Sequence, residues 1–232
     1  MKITPPGNRI MTFAERTIKF YKSLEINSVL PEGVEVLNPY KDQSVIDTCK
    51  LFYNKFYNDS AGRRIIFGIN PGRFGAGITG IPFTDPLRLE NNCGIPNDYN
   101  KRPELSSEFI YMLIEQLGGP EHFYKHYFIG AVSPLGFVKN GKNYNYYDSP
   151  ELQRLLKPFI IRNLIEQIGL GINSRKCYCL GQGKNYAYLQ EINKQLALFD
   201  QIIPIPHPRW VMQYKRKDLR RILLMTSKLL SA

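Results

Sequence analysis

A glycine-rich segment, residues 68–83, contains the residue types that chemistry on a flat ligand requires. Asn70 is a polar side chain at the end of an apolar run and is followed by a proline, and Phe83 lies beyond a stretch of small residues. Small residues let a flat ligand approach the backbone, and an aromatic ring offers a stacking face. The segment is therefore predicted to be a binding or catalytic loop, and the alternative is a tight crossover loop with no function of its own.

The glycines of this loop also suggest a phosphate cradle, but two features count against it. No Gly-Lys-Ser/Thr run follows them, and Pro82 and Pro86 interrupt the segment where a helix would have to begin. We therefore expect no helix directly after the loop and no nucleotide-binding function of this type.

A second candidate is His207, which lies within a run that contains three prolines. The prolines predict a stiff, extended loop that places the imidazole above the end of a strand. The alternative is a structural histidine with no role in chemistry. His122 and His126 have the i, i+4 spacing of a metal site, but no third ligand is in evidence, so we expect neither a metal nor a cofactor.

Helices and strands alternate along the chain. Apolar runs bounded by turn residues predict strands at residues 63–68, 127–132, 176–180 and 201–205. Helical spacing predicts helices at residues 12–24, 43–56, 106–117 and 149–169, with another ending near residue 198 and a basic one at the end of the chain. This alternation predicts a three-layer α/β/α sandwich around a short, mainly parallel four-stranded sheet. We expect one domain over residues 1–232, with residues 1–60 as a helical N-terminal cover.

The carboxyl ends of parallel strands meet at one edge of the sheet, and ligands bind beyond that edge. The strand ends that begin at Gly68, Ala131 and Pro206 are therefore the places to expect a site. Asn70 and His207 should consequently lie on the same edge.

The composition favours a polyanionic partner. The formal net charge is +11 and the isoelectric point is near 9.4, which suits nucleic acid or an acidic membrane surface. No signal peptide or long apolar stretch is visible, and we interpret the four cysteines as buried free thiols. A reducing cytoplasm is the expected location, with the nucleoid if the source is a bacterium, and a monomer is the expected state.

The loop reads Gly-x-Asn-Pro-Gly-x-Phe-Gly with Thr-Gly-x-Pro-Phe downstream, and a His-Pro pair follows the last predicted strand. This order resembles the single-strand-selective monofunctional uracil-DNA glycosylases of the uracil-DNA glycosylase superfamily, over roughly residues 65–214. The resemblance implies that superfamily's fold. It also implies a glycosylase of base excision repair that hydrolyses the N-glycosidic bond of uracil or another deaminated base in DNA after flipping that base out of the stack.

The resemblance also implies roles for individual residues. Asn70 matches the asparagine that positions the attacking water, and His207 matches the histidine that stabilises the leaving base. Phe83 matches the aromatic that stacks on the flipped base. The other predicted contacts with the substrate are Gly68, Ile69, Gly72 and Phe74.

The chain departs from the family pattern in two places. Ala131 stands where the family has an asparagine that reads the base edge, and His207-Pro208 passes directly to Arg209 instead of to Ser-Pro. Substitute donors are predicted to be Ser133 or members of the polar run at residues 140–148, namely Asn143, Asn145 and Tyr147. Without the amide, the pocket is expected to accept xanthine or hypoxanthine as well as uracil.

No lysine lies in the loop, so we expect hydrolysis without a Schiff-base lyase step. The expected partner is lesion-containing DNA, single- or double-stranded, and not a membrane. The predicted DNA contacts are Arg73, Lys139, Lys142, Arg209, Lys215 and Arg216. The C-terminal basic run has a simpler alternative, a solvated helix face.

Two other functions compete with this prediction. One is a non-catalytic binder of damaged or single-stranded DNA that lost base readout with Ala131. The other is a hydrolase of small nucleosides or nucleotides on the same sheet, which the net charge of +11 disfavours.

Overall fold

The computed structural model of this chain describes residues 10–231, so residues 1–9, part of the predicted N-terminal cover, lie outside it. Its main sheet has four parallel strands in the order β3-β2-β6-β7. The strands are β2 (Arg63–Gly68), β3 (Tyr127–Ala131), β6 (Ile172–Leu180) and β7 (Gln201–Ile205). The neighbouring strands β2 and β3 are buried along almost their whole length, which explains their largely apolar sequence. Helices flank this sheet, so the predicted three-layer α/β/α fold is confirmed.

The helices follow the predicted pattern closely. Ser149 caps the longest one by accepting a hydrogen bond from the backbone N–H of Leu152 (3.0 Å), and that helix continues through Pro158. The α-helices are α1 (Phe13–Lys22), α2 (Gln43–Phe56), α3 (Ala76–Thr79), α4 (Pro86–Asn91), α5 (Leu105–Gln116), α6 (Gly119–His126), α7 (Pro150–Gly169), α8 (Lys184–Leu196), α9 (Pro208–Tyr214) and α10 (Leu219–Ser231). None of the helices in the described part of the chain is both long and apolar enough to cross a membrane.

A second sheet was not predicted. It is antiparallel and consists of β1 (Val34–Leu37), β4 (Gly136–Lys139) and β5 (Lys142–Tyr144), in the order β1-β4-β5. Asn140 and Gly141 both have positive φ angles (49° and 69°), as a two-residue hairpin turn requires. Residues 10–60 therefore contain a strand as well as helices α1 and α2, and the polar run at residues 140–148 begins in a hairpin instead of a loop.

A buried arginine anchors the start of β2. The Arg63 guanidinium pairs with Asp59 (2.9 Å) and lies 4.7 Å from the ring centroids of both Phe13 and Tyr57, and its Nε donates to the carbonyl of Tyr124 (2.8 Å). These contacts satisfy a charge that would otherwise be costly to bury. They fix the strand whose other end carries Asn70.

The four cysteines are buried and free. Burial raises the pKa of each thiol well above its ordinary value, to about 12 for Cys49, Cys93 and Cys179. The thiols are therefore protonated near neutral pH and unreactive, as the sequence predicts.

Candidate active site

A cavity of about 570 Å³ opens at the carboxyl ends of the four parallel strands. The residues that line it follow each strand in turn, among them Asn70 after β2, Ala131 at the end of β3, Gly181 after β6 and His207 after β7. The prediction that the strand ends share one edge, with Asn70 and His207 together, is confirmed.

Asn70 is held by the last residue of β5 and the segment that follows it. Its Nδ2 donates to the carbonyl of Tyr144 (3.3 Å), and its Oδ1 accepts from the backbone N–H of Tyr146 (3.2 Å). An amide oxygen has two lone pairs, so one remains for a water molecule in the cavity. The second sheet therefore fixes the orientation of the side chain that would position a water.

The predicted stacking residue Phe83 lies in the cavity wall against Gly68. A Cβ atom at Gly68 would come within 2.6 Å of the Phe83 Cε2 atom, so the ring occupies space that only glycine leaves free. Phe83 has a φ of 54°, a left-handed conformation that is unusual for a bulky residue. Ile69 and Gly72 also line the cavity, as predicted.

The loop does lead into a helix, contrary to the sequence prediction. The short α3 begins after Gly75, and α4 follows at Pro86. Gly75 is necessary because a Cβ there would overlap with the carboxylate of Glu104, and Gly72 lies against the other oxygen of the same carboxylate. Two glycines of the loop thus accommodate an acidic side chain that the sequence analysis did not select.

His207 lies at the end of β7, where it precedes the first residue of α9. Burial, reinforced by the nearby Arg209 charge, lowers the pKa of His207 to about 4. The imidazole is therefore neutral at pH 7 and can donate one N–H to a ligand. The prediction of an extended loop was wrong beyond Pro208, because that proline starts a helix, a position that its fixed φ angle favours.

Two predicted substrate contacts lie elsewhere. Ser133 is fully buried and its hydroxyl donates to the carbonyl of Leu135 (2.8 Å), so it is not part of the cavity wall. Phe74 is also outside the wall and instead lies against two arginine side chains.

Asn185 and Glu104 are polar residues of the cavity that the sequence did not reveal. Asn185, on the first turn of α8, is 3% exposed; it accepts from the Tyr146 hydroxyl (2.8 Å) and its Nδ2 donates to the carbonyl of Gly68 (3.4 Å). Glu104 precedes α5, and burial raises its pKa above the ordinary value although Arg209 opposes this shift. The position of Asn185 just after a strand end could have identified it, whereas no spacing relates Glu104 to the loop.

A superfamily model supplies the first comparison with known proteins. The model described as the uracil DNA glycosylase superfamily matches residues 55–228, which is most of the chain. The chain belongs to this superfamily. The crystal structure of wild-type SMUG2 from Pedobacter heparinus is similar over 96% of this chain and 98% of that chain, with a TM-score of 0.93 and 44% sequence identity.

Curated relatives give a shorter match. The single-strand selective monofunctional uracil-DNA glycosylase of Rattus norvegicus is 30% identical over 108 residues, and that of Mus musculus is 29% identical over 108 residues. Each match covers 39% of this chain and 39% of the relative. The comparison therefore spans well under half the length of these relatives.

In this superfamily member the Ala131 position has no free polar group. Its backbone N–H donates to Oε1 of Gln167 (3.3 Å) and its carbonyl accepts from Nε2 of the same side chain (3.0 Å). The substitute residues from the polar run, Asn143, Asn145 and Tyr147, do line the cavity. The polar side chains that face the cavity therefore come from this run and not from the end of β3.

The predicted DNA-binding residues are distributed unevenly. Arg209 lines the cavity, and Lys139 and Lys142 lie at the two ends of the β4–β5 turn. Lys215 lies over the exposed ring of Trp210 (5.6 Å), whereas Arg216 is engaged with Glu108 (3.7 Å). Arg73 lies next to the cavity residue Gly72.

The described residues contain no group of three or more histidine, cysteine or acidic side chains placed to hold a metal ion. His122 and His126 lie together, with 4.6 Å between their ring centroids, and both are exposed on α6.

Proposed function

We propose that this chain is a monofunctional DNA glycosylase that hydrolyses the N-glycosidic bond of uracil or another deaminated base in DNA. The observation that carries the proposal is the cavity in which a clamped Asn70, a neutral His207 and the Phe83 ring face one space. Superfamily membership and the net charge of +11 support DNA as the substrate.

Each residue has a defined task in this reaction. The target base leaves the stack and lies against Phe83. As the glycosidic bond breaks, the base departs with the bonding electrons and the sugar gains oxocarbenium character. The N–H of His207 stabilises the charge that develops on the base carbonyl, as donors of an oxyanion hole do.

Water completes the reaction. The water molecule that Asn70 orients bonds to C1′ and gives its proton to the departing base, so no other reactant is consumed. A neutral amide suffices because the sugar is already cationic when the water attacks. The products are the free base and an abasic site in an intact strand.

Because of Lys184, it is necessary to measure whether the DNA strand stays intact after base release. It extends from the first turn of α8 into the cavity lining, although the sequence analysis considered lysines only in the loop. An amine in the cavity could form a Schiff base with the abasic sugar and start strand cleavage. We propose that it does not, and that Lys184 contacts DNA instead.

The test uses oligonucleotides that contain uracil, xanthine or hypoxanthine, each single- and double-stranded, with the free nucleosides as controls. We expect base release from DNA, strand breaks only after alkali treatment, and a loss of about 100-fold or more in Asn70→Ala. Breaks without alkali would contradict the monofunctional assignment. DNA binding without any base release would favour a non-catalytic binder, and release from free nucleosides alone would favour a nucleoside hydrolase.

A further inference from the structure

Two arginine side chains stack on one phenylalanine at the rim of the cavity. The guanidinium carbon of Arg102 lies 3.8 Å from the centroid of the Phe74 ring, and that of Arg73 lies 4.9 Å from it. Arg73 follows the cavity residue Gly72, and Arg102 is two residues before the cavity residue Glu104. The pair, Arg73 and Arg102, therefore lies beside the part of the cavity wall that Gly72 and Glu104 form.

Neither guanidinium is neutralised within residues 10–231. No carboxylate lies within 4.0 Å of either group, and neither side chain donates a hydrogen bond. The Nε atom of Arg73 is buried and has no hydrogen-bond partner in this part of the chain. Two like charges held next to each other repel, and the face of an aromatic ring offsets part of that cost.

The arrangement suits one kind of ligand. A guanidinium presents its donors in a planar fork that matches a phosphate group, and stacking on a ring restricts the plane of the fork before any ligand arrives. A phosphodiester accepts hydrogen bonds from two such forks and neutralises both charges. A neutral base or sugar would leave them unpaired.

We propose that Arg73 and Arg102, stacked on Phe74, bind a backbone phosphate of DNA adjacent to the nucleotide that enters the cavity. Phe74 then supports the bound phosphate indirectly, which explains why it lies outside the cavity wall. The inference rests on the proposed function in one respect, that the polyanion is DNA.

Salt-dependent binding tests the pair. Each phosphate contact contributes about 0.7 to the slope of log affinity against log salt for a single strand. We expect Arg102→Gln to bind a fluorescein-labelled single-stranded oligonucleotide of undamaged bases about tenfold more weakly at low salt, with a slope shallower by about 0.7. The matched control is Arg175→Gln, which removes the same charge from an exposed position near the amino end of β6, away from the cavity.

A structural role would give a different result. If the two arginines stacked on Phe74 only ordered the loop, Arg102→Gln would lower the melting temperature or the kcat for base release. The salt slope would then equal that of Arg175→Gln, and the proposal would be wrong. If the proposal holds, the loss appears in KM, the melting temperature stays near that of the control, and the slope changes.

The two proposals can fail separately. Wild-type protein that binds the undamaged oligonucleotide through the pair but releases no base from any lesion contradicts the glycosylase and leaves the phosphate site standing. Wild-type protein that releases base, together with equal slopes for Arg102→Gln and Arg175→Gln, contradicts the phosphate site alone.

Discussion

Phe83 depends on the absence of a side chain at Gly68. Its backbone is in the left-handed region (φ 54°), and its ring edge lies where a Cβ at Gly68 would be. The stacking face of the cavity is thus set by one glycine in β2 and one strained phenylalanine, and the strain persists because the surrounding loop over-determines it.

Gly68→Ala is expected to displace the Phe83 ring. The added carbon would approach Cε2 within 2.6 Å and Cζ within 2.9 Å, so the ring must move. We expect a loss of about 1–3 kcal/mol in the free energy of unfolding and a higher KM for uracil-containing DNA. Urea denaturation of Gly68→Ala, Phe83→Leu and the double variant measures the first. A double variant whose loss equals the sum of the single losses would contradict the contact as the cause.

Single residues were well predicted where a motif fixes their place relative to a strand. Asn70 and His207 follow strands β2 and β7, so their meeting at one edge follows from parallel topology alone. Glu104 could not be predicted, because its approach to Gly72 and Gly75 depends on how the chain from residue 84 to 104 folds over the loop. Ser133 was misplaced because its hydroxyl satisfies a neighbouring carbonyl that would otherwise be buried without a partner.

The β4–β5 hairpin acts as a clamp on the active-site loop. Tyr144, at the end of the hairpin, and Tyr146, just after it, bond the two ends of the Asn70 amide. The Oδ1 of Asn143 accepts from the backbone N–H of Arg73 (3.0 Å). Gly136, at the start of β4, lies directly against the carbonyl of Pro71. The second sheet is therefore part of the site, although none of its strands carries a proposed catalytic residue.

Gly136→Ala is expected to push the β4–β5 hairpin away from the active-site loop at Pro71. A Cβ there would overlap with the Pro71 carbonyl oxygen, and backbone cannot move aside as a flexible side chain can. We expect a loss of about 2–3 kcal/mol in the free energy of unfolding and at least a tenfold loss of kcat.

The matched control for this variant is Gly169→Ala in α7, where nothing lies within 4 Å of the added carbon. It is expected to be neutral or slightly stabilising, because alanine favours helix. Equal thermal unfolding of the two variants would show that β4 does not press on the loop as described.

The hairpin shows why elements of different kinds differ in predictability. Strands β2 and β3 of the main sheet are largely apolar runs, which a sequence displays directly. Asn140-Gly141 is typical of a hairpin turn. The strands on either side of it are short and β5 is largely polar, so their sequence does not display the alternation that would predict a hairpin. The four residues of β1 pair with β4 about 100 positions away, and no local pattern reports such a partner.

Across the whole molecule positive charge is in excess, and part of it lies at or beside the cavity. Arg209 lines the opening and the pair Arg73 and Arg102 flanks it, whereas Arg216 is engaged by Glu108. Composition alone predicts a polyanionic partner, because the net charge is a sum over the residues and does not depend on the fold. It could not predict which charges are free, because pairing depends on the folded arrangement.

The buried neutral His207 should make the stability of the whole fold depend on pH. Its pKa is about 4 in the folded protein against an ordinary value of 6.5, so between these values the unfolded chain binds more protons. Stability from this group is therefore full above pH 6.5 and falls as the pH drops toward 4, by at most about 3 kcal/mol. Glu104, whose pKa is raised by burial, acts in the opposite direction, so the comparison must isolate His207. Urea denaturation at pH 7, 6 and 5 measures the free energy of unfolding, which should fall less steeply with decreasing pH in His207→Gln than in wild type. The control is His126→Gln, which replaces an exposed histidine. Parallel curves for all three proteins would mean that His207 is not buried in its neutral form.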